Sequence, residues 1–183
     1  MAAGIILLVA TACITGFRQW EIHAYAEKST AYVHTLRSLL PEVQGAVPET
    51  RYDNTMPAFS VEGTDFVGIL EMPRFGAAMP VGAAWGQSAK YPCHFDGSMY
   101  NRTLQLGGTT QKGQFDFYRE ISVGDVLYFT DMEGNRFAYR VEDIRYEKHA
   151  DHAALRRREA DLKLFIKNEY AFEYVIVFCN VLR

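Results

Sequence analysis

The sequence predicts a mostly-β domain behind an N-terminal helical segment, and three observations carry that expectation. Short runs rich in Val, Ile, Phe and Tyr recur after residue 58, punctuated by Gly and Pro at the spacing of an all-β barrel or sandwich. The last two runs, Asp161-Leu-Lys-Leu-Phe-Ile-Lys-Asn168 and Glu173-Tyr-Val-Ile-Val-Phe-Cys179, flank a polar turn and read as a hairpin buried on at least one face. Between Arg18 and Val43, by contrast, apolar residues recur at helical spacing.

With 183 residues, 49% of them apolar and 14% aromatic, the chain can form one packed domain with an appendage. A net charge of -3 lacks the concentrated basic face that nucleic-acid binding requires. The one basic cluster, Arg156-Arg157-Arg158, runs directly into Glu159 and Asp161 and reads as a solvated face. Three cysteines are too few for a disulfide scaffold, and no Cys or His spacing suggests a metal. No phosphate-binding glycine loop or Ser/His/Asp arrangement is present, so neither cofactor nor metal is expected. Cys93 and Cys179 could form a disulfide only if the fold brings them together.

Taken in order, Ala2 to Phe17 is uncharged and mostly apolar. As a helix it would span roughly 24 Å, against roughly 30 Å of hydrocarbon. A single membrane anchor over residues 1–20 is the primary expectation, with the domain on the extracellular side. A cleaved signal and a buried helix are the alternatives. Arg18 and Lys28 follow the span with no basic residue before it, opposite to the usual orientation rule, and the basic start of a secretory signal is missing as well. Residues 21–57 read as a juxtamembrane helix and linker. Tyr25, Tyr32, Leu36, Leu39 or Leu40, and Val43 fall on one helical face, and Gly45, Pro48, Asn54 and Pro57 mark the linker. Residues 58–183 form the β domain. Asp65 to Met72 and Ala78 to Ala83 read as strands, Cys93 to Ser98 as a turn, and Asn101 to Leu106 as a third strand ending before Gly107-Gly108. Gln114 to Ile121 reads as a short connecting helix. The clearest hairpin joins Asp125–Thr130 to Arg136–Ile144 through Asp131-Met-Glu-Gly-Asn135. Along its second strand Phe137, Tyr139, Val141 and Asp143 share one face.

Several of these stretches resemble, in order, the sortases, the cysteine transpeptidases that attach proteins to the cell wall of Gram-positive bacteria. Phe66-Val-Gly-Ile-Leu-Glu-Met-Pro73 is similar to the family's first barrel strand, and Met79-Pro-Val81 to the motif that follows it. Tyr91 to Ser98 and Leu104-Gln-Leu-Gly-Gly108 fall where sortases approach their Gly-His. Gly124-Asp-Val-Leu-Tyr-Phe-Thr-Asp131 with Gly134 to Val141 matches the family's central hairpin. The resemblance implies a closed β-barrel of about eight strands with short connecting helices, of the class B/D type. It also implies a membrane-anchored, extracytoplasmic protein whose groove takes a peptide, a pilin-like partner or another sortase.

The resemblance equally implies a cysteine nucleophile, a histidine for proton transfer and an arginine for the developing oxyanion. At the matching positions this sequence has Lys167, Gly108 and Tyr174, or Glu173 with a one-residue slip. The expectation is therefore a sortase-like barrel without sortase catalysis. The alternative is an unorthodox enzyme whose fallback nucleophile is Cys179, or Lys167 if desolvated. His94 is its fallback base, and His149 and His152 read as solvated loop residues.

Overall fold

The structure, a computed structural model, describes residues 2–41, 55–87, 90–148, 160–168, 171 and 173–182. One long helix, α1 (Ala2–Leu39), precedes nine strands: β1 (Phe59–Val61), β2 (Thr64–Met72), β3 (Ala77–Gly82), β4 (Cys93–Asp96), β5 (Leu104–Thr109), β6 (Val126–Asp131), β7 (Arg136–Glu147), β8 (Leu162–Asn168) and β9 (Glu173–Val181). They form one sheet in the order β1-β2-β3-β4-β5-β8-β9-β7-β6, and a further pairing of β2 with β6 closes it. Strands β2 to β9 are thus an eight-stranded barrel, with β1 added on β2. Closure removes most exposed strand edges, which would otherwise template association with other chains.

The barrel closes around its own apolar side chains. Leu104 and Leu106 of β5, Leu162, Leu164 and Ile166 of β8, and Val175, Val177 and Cys179 of β9 all join one buried cluster with Phe115, Phe129 and Tyr139. Strand alternation accounts for this, because every second residue of each strand points inward. On β7 the expected face is realised for Phe137, Tyr139 and Val141, which are buried. Asp143 departs from it. The pairing of β7 with β9 is irregular between Val141 and Asp143, which turns Asp143 outward into an ion pair with Arg145 at 2.8 Å.

Three local expectations are corrected. The segment from Cys93 is a strand, β4, because Gly107 and Leu106 of β5 offer it a ladder. Strand β5 does not stop before the glycine pair but runs through it to Thr109, paired all along with β8. The expected helix at Gln114–Ile121 reduces to a single 3-10 turn, Tyr118–Glu120, after a series of turns.

Helix α1 runs unbroken through residue 20. Its second half buries Tyr32, Val33 and Leu36 against Phe66, Ile69 and Tyr91. Leu40 packs against this cluster, whereas Leu39 is half exposed, which decides between the two expected face residues. Its first half leaves Ile6, Leu7, Leu8, Val9, Ile14, Phe17 and Trp20 exposed. No helix among the described residues is long and apolar enough to cross a membrane. In place of the expected span over residues 1–20 the structure shows an exposed, mostly apolar helical segment that contains Arg18 and is followed by Glu21. Val43, His149, His152 and the arginine cluster lie outside the described residues.

The β6–β7 turn is held by Asp131. Its carboxylate accepts from the backbone N–H groups of Glu133 (2.9 Å) and Asn135 (2.8 Å), from Asn135 Nδ2 (2.9 Å) and from the Tyr100 hydroxyl. Asp131, Asn135 and Tyr100 are all buried. Replacing Asp131 by Ala removes the acceptor shared by four hydrogen bonds, and each donor left buried and unsatisfied costs about 1–3 kcal/mol. Urea unfolding of Asp131→Ala is expected to show a loss of roughly 3 kcal/mol, whereas Asp143→Ala, at an exposed site, should change stability by less than about 1 kcal/mol.

Candidate functional site

The sheet register brings the ends of β5, β8 and β9 together. Thr109 of β5 pairs with Lys167 of β8, and Lys167 pairs with Tyr174 of β9. The neighbouring residues Ile166 and Val175 belong to the core. Lys167 and Tyr174 therefore face outward, side by side on adjacent strands, with Lys167 exposed and Tyr174 half-buried.

Gly108 stands one residue away from this row and on the opposite face. It pairs with Ile166, and a Cβ there would meet Gln114 Oε1 at 2.7 Å and Phe115 Cε2 at 2.8 Å. Phe115 is part of the barrel core, and Gln114 Oε1 accepts from the Thr109 N–H at 2.9 Å. The inward space beside Gly108 is thus already filled. The β5 residue that shares the outward row with Lys167 and Tyr174 is Thr109, whose hydroxyl accepts from the Gln111 N–H at 3.4 Å. Neither a glycine nor a threonine offers a group that titrates near neutral pH. Sequence reasoning did not single out Thr109, because its placement depends on the parallel register with β8.

One step down the same outward face lies Gly107, between Cys93 of β4 and Phe165 of β8. A Cβ at Gly107 would run into the six-membered ring of Trp85. Trp85 meets Phe95 edge-on at 5.0 Å, and Phe95 meets Phe165 edge-on at 6.1 Å. Trp85 and Phe95 remain 45% and 37% exposed, so they form an open aromatic shelf beside the Lys167 row. Its only sequence signal is the glycine, which admits the ring.

The candidate fallback residues are dispersed. Cys179 lies towards the other end of β9 from Tyr174, pairs with Leu162 and Val141, and points into the core. Burial, with a smaller contribution from Glu142, pushes its thiol far above the ordinary range, so it holds no thiolate at neutral pH. His94 is on β4, two strands away in the sheet, and its Nε2 donates to the Gly97 carbonyl at 2.7 Å. Lys167 is exposed and does not have the desolvation that an amine nucleophile needs. Glu173 accepts from Asn168 Nδ2 at 3.1 Å, and Asn168 also donates to the Tyr118 hydroxyl at 2.9 Å. Cys13, Cys93 and Cys179 are all free thiols, and Cys93 Sγ donates to the Tyr91 carbonyl at 3.3 Å. No group of three or more metal-binding side chains occurs among the described residues.

The raised thiol sets a pH dependence. The unfolded chain ionises Cys179 near the ordinary thiol pKa of about 8.5, whereas the folded chain keeps it protonated. Stability is therefore full below that pH and falls as pH rises above it. Guanidinium titrations between about pH 7.5 and 9.5 are expected to show this slope in the native chain and a shallower one in Cys179→Ala. A thiol-labelling reagent at neutral pH should reach Cys179 only on unfolding.

No family model matches the chain, and no curated protein sequence matches it significantly. Solved structures do. Sortase C1 of Streptococcus agalactiae is 18% identical, covers 68% of this chain and 71% of its own, and superposes with a TM-score of 0.55. The sortase D5 transpeptidase of Clostridium perfringens is 14% identical over 65% of this chain and 80% of its own, at a TM-score of 0.54. The Clostridium perfringens sortase C determined with the C-terminal cell wall sorting motif is 18% identical over 65% and 71%, at 0.54. The closed eight-stranded barrel, its strand order and these likenesses give one conclusion: the chain has the sortase fold.

Proposed function

We propose that this chain uses a sortase barrel as a binding module and not as a cysteine transpeptidase. The observation that carries this reading is the outward row Thr109–Lys167–Tyr174 at the ends of β5, β8 and β9: the family resemblance calls for histidine, cysteine and arginine at Gly108, Lys167 and Tyr174, and the row contains none of the three. A transpeptidase needs a thiolate, a proton donor for the leaving amine and a cation for the oxyanion. Among the described residues of the barrel both cysteines are buried, Cys93 beside Gly107 and Cys179 towards the far end of β9, and neither pairs with a residue of this row. The sortase C structure with its sorting motif supports a peptide as the class of ligand. A cell-surface or pilin-type partner on the extracytoplasmic side fits the same reading.

A purified chain is expected to bind peptides of the sorting-motif type without cleaving or joining them, as followed by mass spectrometry. Turnover that a thiol reagent or Cys179→Ala abolishes would falsify the proposal.

The same reading places the protein at a membrane through the first turns of α1. Support comes from the seven large apolar side chains that the structure leaves exposed between Ile6 and Trp20, and from Thr11 and Thr15, whose hydroxyls donate to the carbonyls of Leu7 and Thr11 at 2.8 and 2.7 Å. Hydroxyls satisfied within the helix are compatible with an apolar surrounding. In flotation with phospholipid vesicles, the full chain should rise with the lipid and a Leu7→Asp, Leu8→Asp variant should stay behind. Equal behaviour of the two would remove the membrane assignment.

A further inference from the structure

We infer that Lys90 and Lys112 form a basic collar around α1 where the helix leaves the barrel, and that the partner of this collar is the anionic headgroup layer of a membrane. This rests on the reading of the first turns of α1 as a membrane-seated segment and specifies which lipids that segment selects.

Two barrel segments distant in sequence bring a lysine to the same level of the helix. Lys112, in the turn after β5, donates from Nζ to His23 Nδ1 at 3.3 Å. Lys90, leading into β4, sets its ammonium 5.4 Å from the ring centre of Tyr25. His23 and Tyr25 are roughly 160° apart around the helix axis, so the two lysines stand on opposite flanks. Between them the backbone at Gly113 passes so close to the helix that a Cβ there would lie 2.8 Å from Ala26, which fixes the level at which the helix is gripped. Both lysines are exposed.

That level matches the depth of a headgroup layer. The large apolar side chains exposed on the first half of α1 end with Phe17 and Trp20, whose rings lie 6.0 Å apart. Aromatic rings settle at the boundary between hydrocarbon and headgroups. From Trp20 to His23 and Tyr25 the helix rises about 4.5 and 7.5 Å. The headgroup layer on one side of a bilayer is about 5–7 Å deep, half the difference between the total and the hydrocarbon thickness. An apolar segment seated as far as Trp20 therefore places both ammonium groups among the headgroups.

The helix itself brings no surplus of charge here. Between residues 18 and 28, Arg18 and Lys28 are balanced by Glu21 and Glu27. Glu21 accepts from the Tyr25 hydroxyl at 3.0 Å, and Glu27, two residues beyond Tyr25, lies on the other side of the helix from Lys90. After Lys112 the same series of turns contains one carboxylate, Asp116. The two lysines thus leave this end of the helix positive, in a chain whose net charge is -3. Phospholipid phosphates form a continuous anionic layer, which suits two cations on opposite flanks better than one soluble anion does. Lys112 follows the end of β5 by three residues, so a barrel held this way keeps the strand end carrying Thr109 close to the bilayer.

The test floats the full chain with vesicles of phosphatidylcholine alone and of phosphatidylcholine with one-quarter phosphatidylglycerol. Each lysine at an anionic surface strengthens binding about fivefold, so Lys90→Gln with Lys112→Gln should lower affinity for the mixed vesicles about 25-fold and leave binding to phosphatidylcholine unchanged. Lys90→Arg with Lys112→Arg should keep the preference. Arg140→Gln should keep it too, because it removes a charge from β7 opposite Asn180, away from the collar. Salt at about 1 M should abolish the preference, since the screening length falls to about 3 Å. Soluble glycerol phosphate at millimolar concentration should not compete. Equal affinity of the native chain for the two vesicles, or a preference that survives the double Gln variant or the salt, overturns this assignment and leaves the membrane reading intact. A loss in Arg140→Gln as large as in the double variant, or competition by glycerol phosphate, does the same. Failure to float with either vesicle overturns the membrane reading, and this assignment with it.

Discussion

The parallel ladder between β5 and β8 is the contact on which the rest of this structure depends. It joins segments separated by residues 110–161, and six consecutive pairs run from Leu104–Leu162 to Thr109–Lys167. Its register is held by burial: Leu104 and Leu106 on one strand and Leu162, Leu164 and Ile166 on the other all reach the same core. A slip of β8 by one residue would turn Leu162, Leu164 and Ile166 away from the core and bring Lys163 and Lys167 inward. The force that fixes the outward row is therefore the hydrophobic packing on the opposite face. Lys167 stands beside Thr109 and Tyr174 because its neighbour Ile166 is committed to the interior.

The glycine pair of β5 allows this ladder to be covered on both sides. Gly107 lets the Trp85 ring lie against the strand from outside, and Gly108 lets Phe115 and Gln114 approach from inside. A side chain at either position would displace close-packed atoms, at a cost of about 1–3 kcal/mol for an overpacked site. The backbone does not need the glycines for an unusual dihedral, since neither has a positive φ. Their role is to leave space, and the space is used. A histidine at position 108 would need more than a codon change, because Phe115 and Gln114 would have to move and the Thr109 N–H would lose its acceptor.

How much of this was legible in the sequence follows from which forces act locally. The β6–β7 and β8–β9 hairpins were legible because alternation and turn residues are short-range signals, and Asp131 to Asn135 carry both the turn and its hydrogen bonds. The order of sortase-like stretches was enough to anticipate a closed barrel of about eight strands. Strand β4 was not legible, because a four-residue run, Cys93-His-Phe-Asp96, is too short for its alternation to be told from a turn and becomes a strand only through its partners on β5. Asp143 was assigned to the inward face because a bulge leaves no mark in the residue pattern. At the site, Lys167 and Tyr174 could be identified from chain position. That Thr109 joins them, and that Gly108 faces the other way, depends on a long-range register that no local pattern encodes. Trp85 is a further case, since nothing near residue 85 indicates that its ring lies on Gly107.

Helix α1 belongs to the same construction and is more than a tether. Gly113, at φ +82°, passes so close to the helix that a Cβ there would lie 2.8 Å from both Cα and Cβ of Ala26. Beside it, Lys112 Nζ approaches His23 Nδ1 at 3.3 Å. The turn that follows β5 is thus pressed against the helix by a residue for which only glycine combines the required backbone angle with the required clearance. Gln114, the next residue, caps the Thr109 N–H, and Phe115 fills the inner side of Gly108. A continuous set of contacts therefore leads from Ala26 through Gly113 and Gln114 to the strand end that carries the outward row. The segment of α1 that ends in exposed apolar side chains and the segment that braces the site are parts of one unbroken helix, so the position of that helix and the shape of the inner wall of the site are fixed together.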